Sequence, residues 1–123
     1  MSLEMNRMFD KRLLGTWKSD RRRTAREVAA RKDFKPKAKK KLLSLFGKLE
    51  FRYTRTHCHS RLNGEKPNSG EYRVVARNSD SVVVVTTDAT TGSMISHLHF
   101  EGADLYWIGV AGRFREYFRR ISK

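Results

Sequence analysis

The 123-residue chain is poor in cysteine, with Cys58 alone, and in proline, with only Pro36 and Pro67. A lone thiol excludes an internal disulfide, so packing and hydrogen bonds must hold the fold. Such a chain suits a reducing compartment, and the cytoplasm is the expected location. Apolar runs are short: none approaches the roughly 18 residues of a membrane-spanning helix. The first residues lack the apolar stretch of a secretory signal. Also absent are a glycine-rich phosphate loop, a nucleophile-elbow sequence and paired carboxylates in an apolar setting. No catalytic set is legible, and a non-enzymatic protein without a cofactor is expected.

Acidic residues are scarce too: 13 Asp+Glu face 27 Lys+Arg, a net charge of +14. The excess is uneven. Residues 1–48 carry 16 basic and 5 acidic residues, against 11 and 8 in residues 49–123. Length suits one domain over residues 1–123, with a basic helical insert at about 20–46. Leu13 to Lys18 reads as a first strand. Ser19 and Asp20 offer an N-cap, and residues 20–32 are rich in helix formers. Asp33 to Lys35 break that helix, and Pro36 suits the first turn of the next. Phe34, Ala38, Leu42 and Leu45 then share a helical face, and Gly47 is the expected C-cap.

From Lys48 onward the apolar period becomes two. Leu49, Phe51 and Tyr53 alternate with polar residues. Asn63-Gly64 marks a tight turn and Pro67 to Gly70 a further loop. Tyr72, Val74 and Ala76 form one apolar face. Ser81–Thr87, Ser93–Phe100, Leu105–Val110 and Arg113–Ile121 follow as strands, with Asp88–Gly92 as a loop. The expectation is a mainly β fold: a small antiparallel up-and-down barrel of about eight strands, with two helices between strands 1 and 2.

Gly15-Thr16-Trp17 on the first strand resembles the Gly-x-Trp signature of the calycins, which include lipocalins and fatty-acid-binding proteins. The two helices after that strand, the meander and the Arg-rich final strand extend the likeness. The whole chain also resembles small bacterial lipocalin-like proteins without assigned activity. The resemblance implies that Trp17 closes one barrel end and that a last-strand cation, Arg115 or Arg119, lies across its ring. It also implies a ligand cavity. Arg115 and Tyr117 are similar to the Arg-x-Tyr pair that holds a fatty carboxylate in the fatty-acid-binding proteins. That role needs both to face inward, whereas Phe114 and Phe118 compete for the interior.

Two functional readings follow. In the first, the barrel binds a small apolar or amphipathic, anionic molecule, lined by Tyr72, Val74, Val84, Leu98 and Trp107 with Arg115 and Tyr117. Phe51, Tyr53, Phe100, Tyr106 and the other aromatics could instead plug the interior. In the second, Arg21, Arg22, Arg23, Lys37, Lys39, Lys40 and Lys41 bind a polyanion, either nucleic acid or an anionic membrane. A solvated basic face is the alternative to both. All four histidines fall in two His-x-His pairs, His57/His59 and His97/His99, whose same-side projection could ligate a metal. Solvent-facing rings are the simpler expectation, and no metal site is assigned. Cys58 reads as a buried structural thiol.

Overall fold

The computed structural model describes residues 9–88, 92–110 and 112–123. Its elements are β1 (Gly15–Ser19), α1 (Arg21–Ala29), α2 (Pro36–Leu45), β2 (Leu49–Tyr53), β3 (His57–Leu62), β4 (Asn68–Arg77), β5 (Ser81–Asp88), β6 (Gly92–Phe100), β7 (Leu105–Val110) and β8 (Phe114–Ser122). The eight strands form a closed antiparallel barrel in sequence order, with β1 pairing β8. Both helices lie between β1 and β2. Closure pairs every strand with two neighbours, although β6 meets β7 only at His99 and Phe100; the β-branched run Val82 to Val85 is paired on both sides, by β4 and β6.

Period-two alternation decides which side chains fill the barrel. Trp17, Tyr53, Cys58, Tyr72, Val82, Val84, Leu98, Tyr106 and Phe118 form the buried cluster, with Leu13 below it. Their rings interlock: Tyr106 lies 4.7 Å from Trp17 and 5.1 Å from Phe118, and Tyr53 lies 5.2 Å from Tyr72. Each fully buried aromatic or aliphatic side chain stabilises the fold by about 1.5–3 kcal/mol relative to exposure. Two sequence expectations shift here. Asn68 to Gly70 continue β4 instead of forming a loop, because Cys58, His59 and Ser60 carry the ladder to them. A bulge between Val74 and Ala76 sets Ala76 opposite Val83 on the outside, so Ala76 leaves the face of Tyr72 and Val74. The expected Asp88–Gly92 loop falls partly on residues 89–91, outside the described residues.

One end of the barrel is sealed. Residues 9–14 cross it and bury Leu13 and Asp10. The Trp17 indole Nε1–H donates to the Leu13 carbonyl at 2.8 Å. The Arg120 guanidinium lies 4.2 Å over the Trp17 ring and donates to the carbonyls of Leu14, Arg12 and Ala103 and to Asp104. The expectation of Arg115 or Arg119 at this position is therefore corrected. The β1–β8 register shifts between Thr16 and Trp17 and places Arg120 opposite Trp17. Arg119 points outward and pairs with Asp20 at 2.9 Å. Arg115 is four strand residues nearer the other end.

That other end carries the helices. Asp20 caps α1 by accepting from the Arg23 N–H, as expected, and its own N–H donates to the Tyr117 carbonyl. β1 has ended by this point. Thr24 of α1, fully buried, takes over by accepting from the Tyr117 N–H at 2.9 Å. α1 thus lies along the part of β8 that β1 does not reach, with Val28 buried beneath it. α1 ends at Ala29, short of the predicted Lys32, where the Arg31 N–H turns back to the Val28 carbonyl. α2 contains no buried residue. It is pinned at its flanks, where Phe34 and Phe46 each pack edge-on against Phe114. Gly47 follows with φ of +84°, a left-handed turn that leads the chain into β2. No helix among the described residues is long and apolar enough to cross a membrane.

Candidate functional site

The barrel interior holds a cavity of about 120 Å³ toward the helix end. Phe51, Leu98, Tyr106 and Ile108 form its apolar floor, and Ser60, Asn68, Thr86 and Ser96 bring polar atoms toward the mouth. Among the described residues, no charged side chain lines it. Small-molecule sites usually span about 300–1,000 Å³, so this space suits only a few heavy atoms. Of the lining residues expected from sequence, Leu98 alone reaches it. Tyr72, Val74 and Val84 do face inward, but they belong to the packed cluster nearer the sealed end. Trp107, Arg115 and Tyr117 are corrected to the outer face. Tyr106 and Phe118 occupy the interior positions, and strand alternation sends their neighbours out. Arg115 and Tyr117 therefore form no carboxylate clamp inside the barrel. Tyr117 is buried instead beneath Arg23 of α1, whose guanidinium sits 4.7 Å over its ring.

Burial shifts the acidities of several inward groups, the phenols of Tyr53, Tyr72 and Tyr106 upward among them. Burial pushes the Cys58 thiol up to about 11, so it stays protonated and unreactive at neutral pH. Burial likewise raises Glu116, whose carboxylate accepts from the Ser19 hydroxyl near the helix end. The histidine pairs lie outside, on β3 and β6. His59 bonds Ser69, and His97 bonds Ser81. Burial and the neighbouring cations hold His59 and His99 below the ordinary histidine value. Among the described residues, no three His, Cys, Asp or Glu side chains gather in a metal-binding arrangement.

The helix surface holds most of the expected polyanion set, with two exceptions. Arg23 pairs with Glu101 at 2.8 Å, and Lys39 donates to the Ala29 carbonyl. Arg21, Arg22, Lys37, Lys40 and Lys41 are exposed, and Arg26 joins them. None of these six has a carboxylate within 4.0 Å among the described residues. Arg21, Arg22 and Arg26 rim a shallow groove floored by Ala25, Ala29 and Leu43.

The outer face beside α1 carries an arrangement that sequence reading did not assemble. The rings of His97 and His99 lie 3.9 Å apart, His99 stacks on Trp107 at 3.9 Å and 9°, and Arg115 covers the indole's other face at 4.1 Å. Beyond Arg115, Asp33 joins Arg31 at 2.9 Å to Arg113 at 2.7 Å. The two guanidiniums hold the Asp33 carboxyl well below the usual carboxylate range. Gly109 leaves the outer face of β7 open beside this arrangement, with nothing within 4 Å of where a Cβ would stand.

Comparison with protein-family models, with curated proteins and with solved structures finds no match to this chain.

Proposed function

We propose that the protein binds a polyanion through α1 and α2, with the barrel as their scaffold. The observation that carries this reading is where the cations sit. A helix N-terminus is the positive end of its dipole and favours acidic side chains. Neither helix has an acid in its first turn. α1 begins with Arg21, Arg22 and Arg23, and α2 packs Lys37, Lys39 and Lys40 into its first half, with Lys41 next. Arg22/Arg26 and Lys37/Lys41 also repeat like charge at the i,i+4 spacing, which weakens a helix. A face needed only for solubility has no reason to place charge against helix stability twice. A bound polyanion supplies one, since it neutralises both effects.

Binding of labelled oligonucleotides, heparin and phosphatidylserine vesicles, measured against salt, tests the reading. The logarithm of affinity for DNA should fall with the logarithm of salt at a slope of roughly −4 to −5 for six contacts. Replacing Arg21, Arg22, Arg26, Lys37, Lys40 and Lys41 by Gln should weaken binding roughly 100-fold or more. No binding to any of these partners at low salt would sink the idea.

A second reading rests on the interior cavity: a small neutral molecule held among hydroxyl groups. The closed barrel, the helix pair after β1 and the Trp17–Arg120 contact support kinship with the calycins and hence this role. Ligand-observed NMR with a panel of small neutral amphiphiles checks it. Saturable binding that Ser96→Leu abolishes is the expected result.

A further inference from the structure

We infer that the cleft between the C-terminal end of α1 and the β7–β8 hairpin is a nucleotide-sized subsite, so that the polyanion is a single-stranded nucleic acid. The inference rests on the polyanion reading above and narrows it to one partner. The cleft is an open surface depression of about 390 Å³, within the size range of small-molecule sites. Its floor is the outer surface of β7, where Trp107 and Gly109 face the same way. A Cβ built on Gly109 would meet nothing within 4 Å, so the floor is open and flat there. Arg31, Arg113 and Arg115 form the walls together with one carboxylate, Glu27, so the three guanidiniums outnumber it.

The chemistry of these walls matches a phosphate joined to a planar ring. Arg115 covers Trp107 as one flat cation on another flat surface. Its side chain is half exposed, and its acidic neighbour Glu27 is 3.8 Å away, a loose contact. A nucleobase is planar as well and stacks on an indole more strongly than an exposed guanidinium does. It can therefore take Arg115's place on Trp107 and release that guanidinium to a phosphate. The His97–His99 stack supports the indole from behind. Arg31 and Arg113 share a single carboxylate, Asp33, so most of their N–H donors remain free for phosphate oxygens. Across α1 lies the groove rimmed by Arg22 and Arg26, which continues a path for the backbone. A vesicle surface or an acidic peptide would meet the same cations but would bring no ring for the cleft.

The two tryptophans make the test direct. Trp17 is fully buried at the sealed end, so a ligand can quench only Trp107 by stacking. Wild-type protein is titrated with a dodecamer of dT, with an abasic phosphodiester of equal length, and with heparin. Saturable quenching by the dT oligomer and none by the abasic one is the expected result. Trp107→Ala should lower dT affinity about tenfold and leave heparin affinity unchanged. Gly109→Val, in a position open to a side chain and favourable for one in a strand, keeps the fold and should block quenching. If abasic and dT oligomers bind equally, or if both variants bind dT as wild type does, the subsite is refuted while the polyanion reading stands. If heparin, oligonucleotides and vesicles all fail to bind, the polyanion reading falls first.

Discussion

The two ends of this barrel treat carboxylates in opposite ways. At the sealed end, buried Asp10 accepts from the Arg12 backbone and guanidinium and lies 3.5 Å from Arg77. Those hydrogen bonds hold its carboxyl below the ordinary value. At the helix end, half-buried Glu116 has only the Ser19 hydroxyl among the described residues, and desolvation lifts it above the ordinary value. Asp10 is stabilised as an anion, whereas Glu116 is ionised at a cost. The same contrast holds for cations. Arg12 and Arg120 satisfy carbonyls and cover Phe100 and Trp17, while Arg21, Arg22, Arg26, Lys37, Lys40 and Lys41 have no carboxylate within 4.0 Å among the described residues. One end is built to stay closed. The other keeps charge and space available.

The contrast breaks most severely at Arg120. Its side chain is only 9% exposed, and it serves four acceptors and one ring. Arg120→Ala leaves those carbonyls without a donor and should cost about 3–5 kcal/mol, read as a lower urea midpoint. Arg120→Lys should recover part of the loss, since it keeps the charge but not the planar fork. A loss under about 1 kcal/mol would mean that the seal does not hold the barrel shut.

Asp10→Asn comes next, at about 1–3 kcal/mol near neutral pH. The pH dependence has a definite sign. Asp10's folded value lies below its unfolded one, so its contribution is full above the ordinary 3.8 and drains as pH falls through the folded value. Wild type and Asp10→Asn should therefore converge in strong acid. A constant gap across the acid range would contradict the role given to Asp10.

Trp17 was legible as a barrel-closing residue only through the likeness of Gly15-Thr16-Trp17 to the Gly-x-Trp signature. Its partner was not, because the bulge at Thr16/Trp17 is a two-strand event that neither strand encodes alone. Alternation predicted the inward Phe118 correctly, and for the same reason it should have sent Trp107 and Tyr117 outward with Arg115. Hydrophobicity favours Trp107 inside and the Arg-x-Tyr likeness favours Tyr117 inside, yet both rings find cover outside the barrel beneath arginines. The basic insert was legible to within a few residues, since capping and Pro36 act locally. The cleft was not, because Asp33 and Arg113 are 80 residues apart and meet only when the barrel closes.

Glu116→Gln gives a smaller effect of the opposite sign. A raised folded value means that the folded chain holds the proton more tightly, so stability is full below the ordinary 4.5 and declines as pH rises through the folded value. The amide removes that decline. Chemical denaturation should find the variant more stable than wild type at pH 8 and equal to it at pH 4. A less stable variant at pH 8 would place a needed ionic partner near Glu116, contrary to its single hydroxyl contact.

The smallest stability change is the most informative about the helix end. Arg22 sits in the first turn of α1, exposed and four residues before Arg26. Arg22→Glu puts an acid at the positive end of the helix dipole and turns an i,i+4 repulsion into an attraction. It should gain about 0.5 kcal/mol by thermal denaturation. The same change removes one phosphate contact and adds a repulsion, so oligonucleotide affinity should fall, with the salt slope shallower by roughly 1. Stability rising while binding falls is the signature of a residue retained against the helix it belongs to. If binding is untouched, Arg22 belongs to a solvated face, and the contrast between the two ends reduces to packing alone.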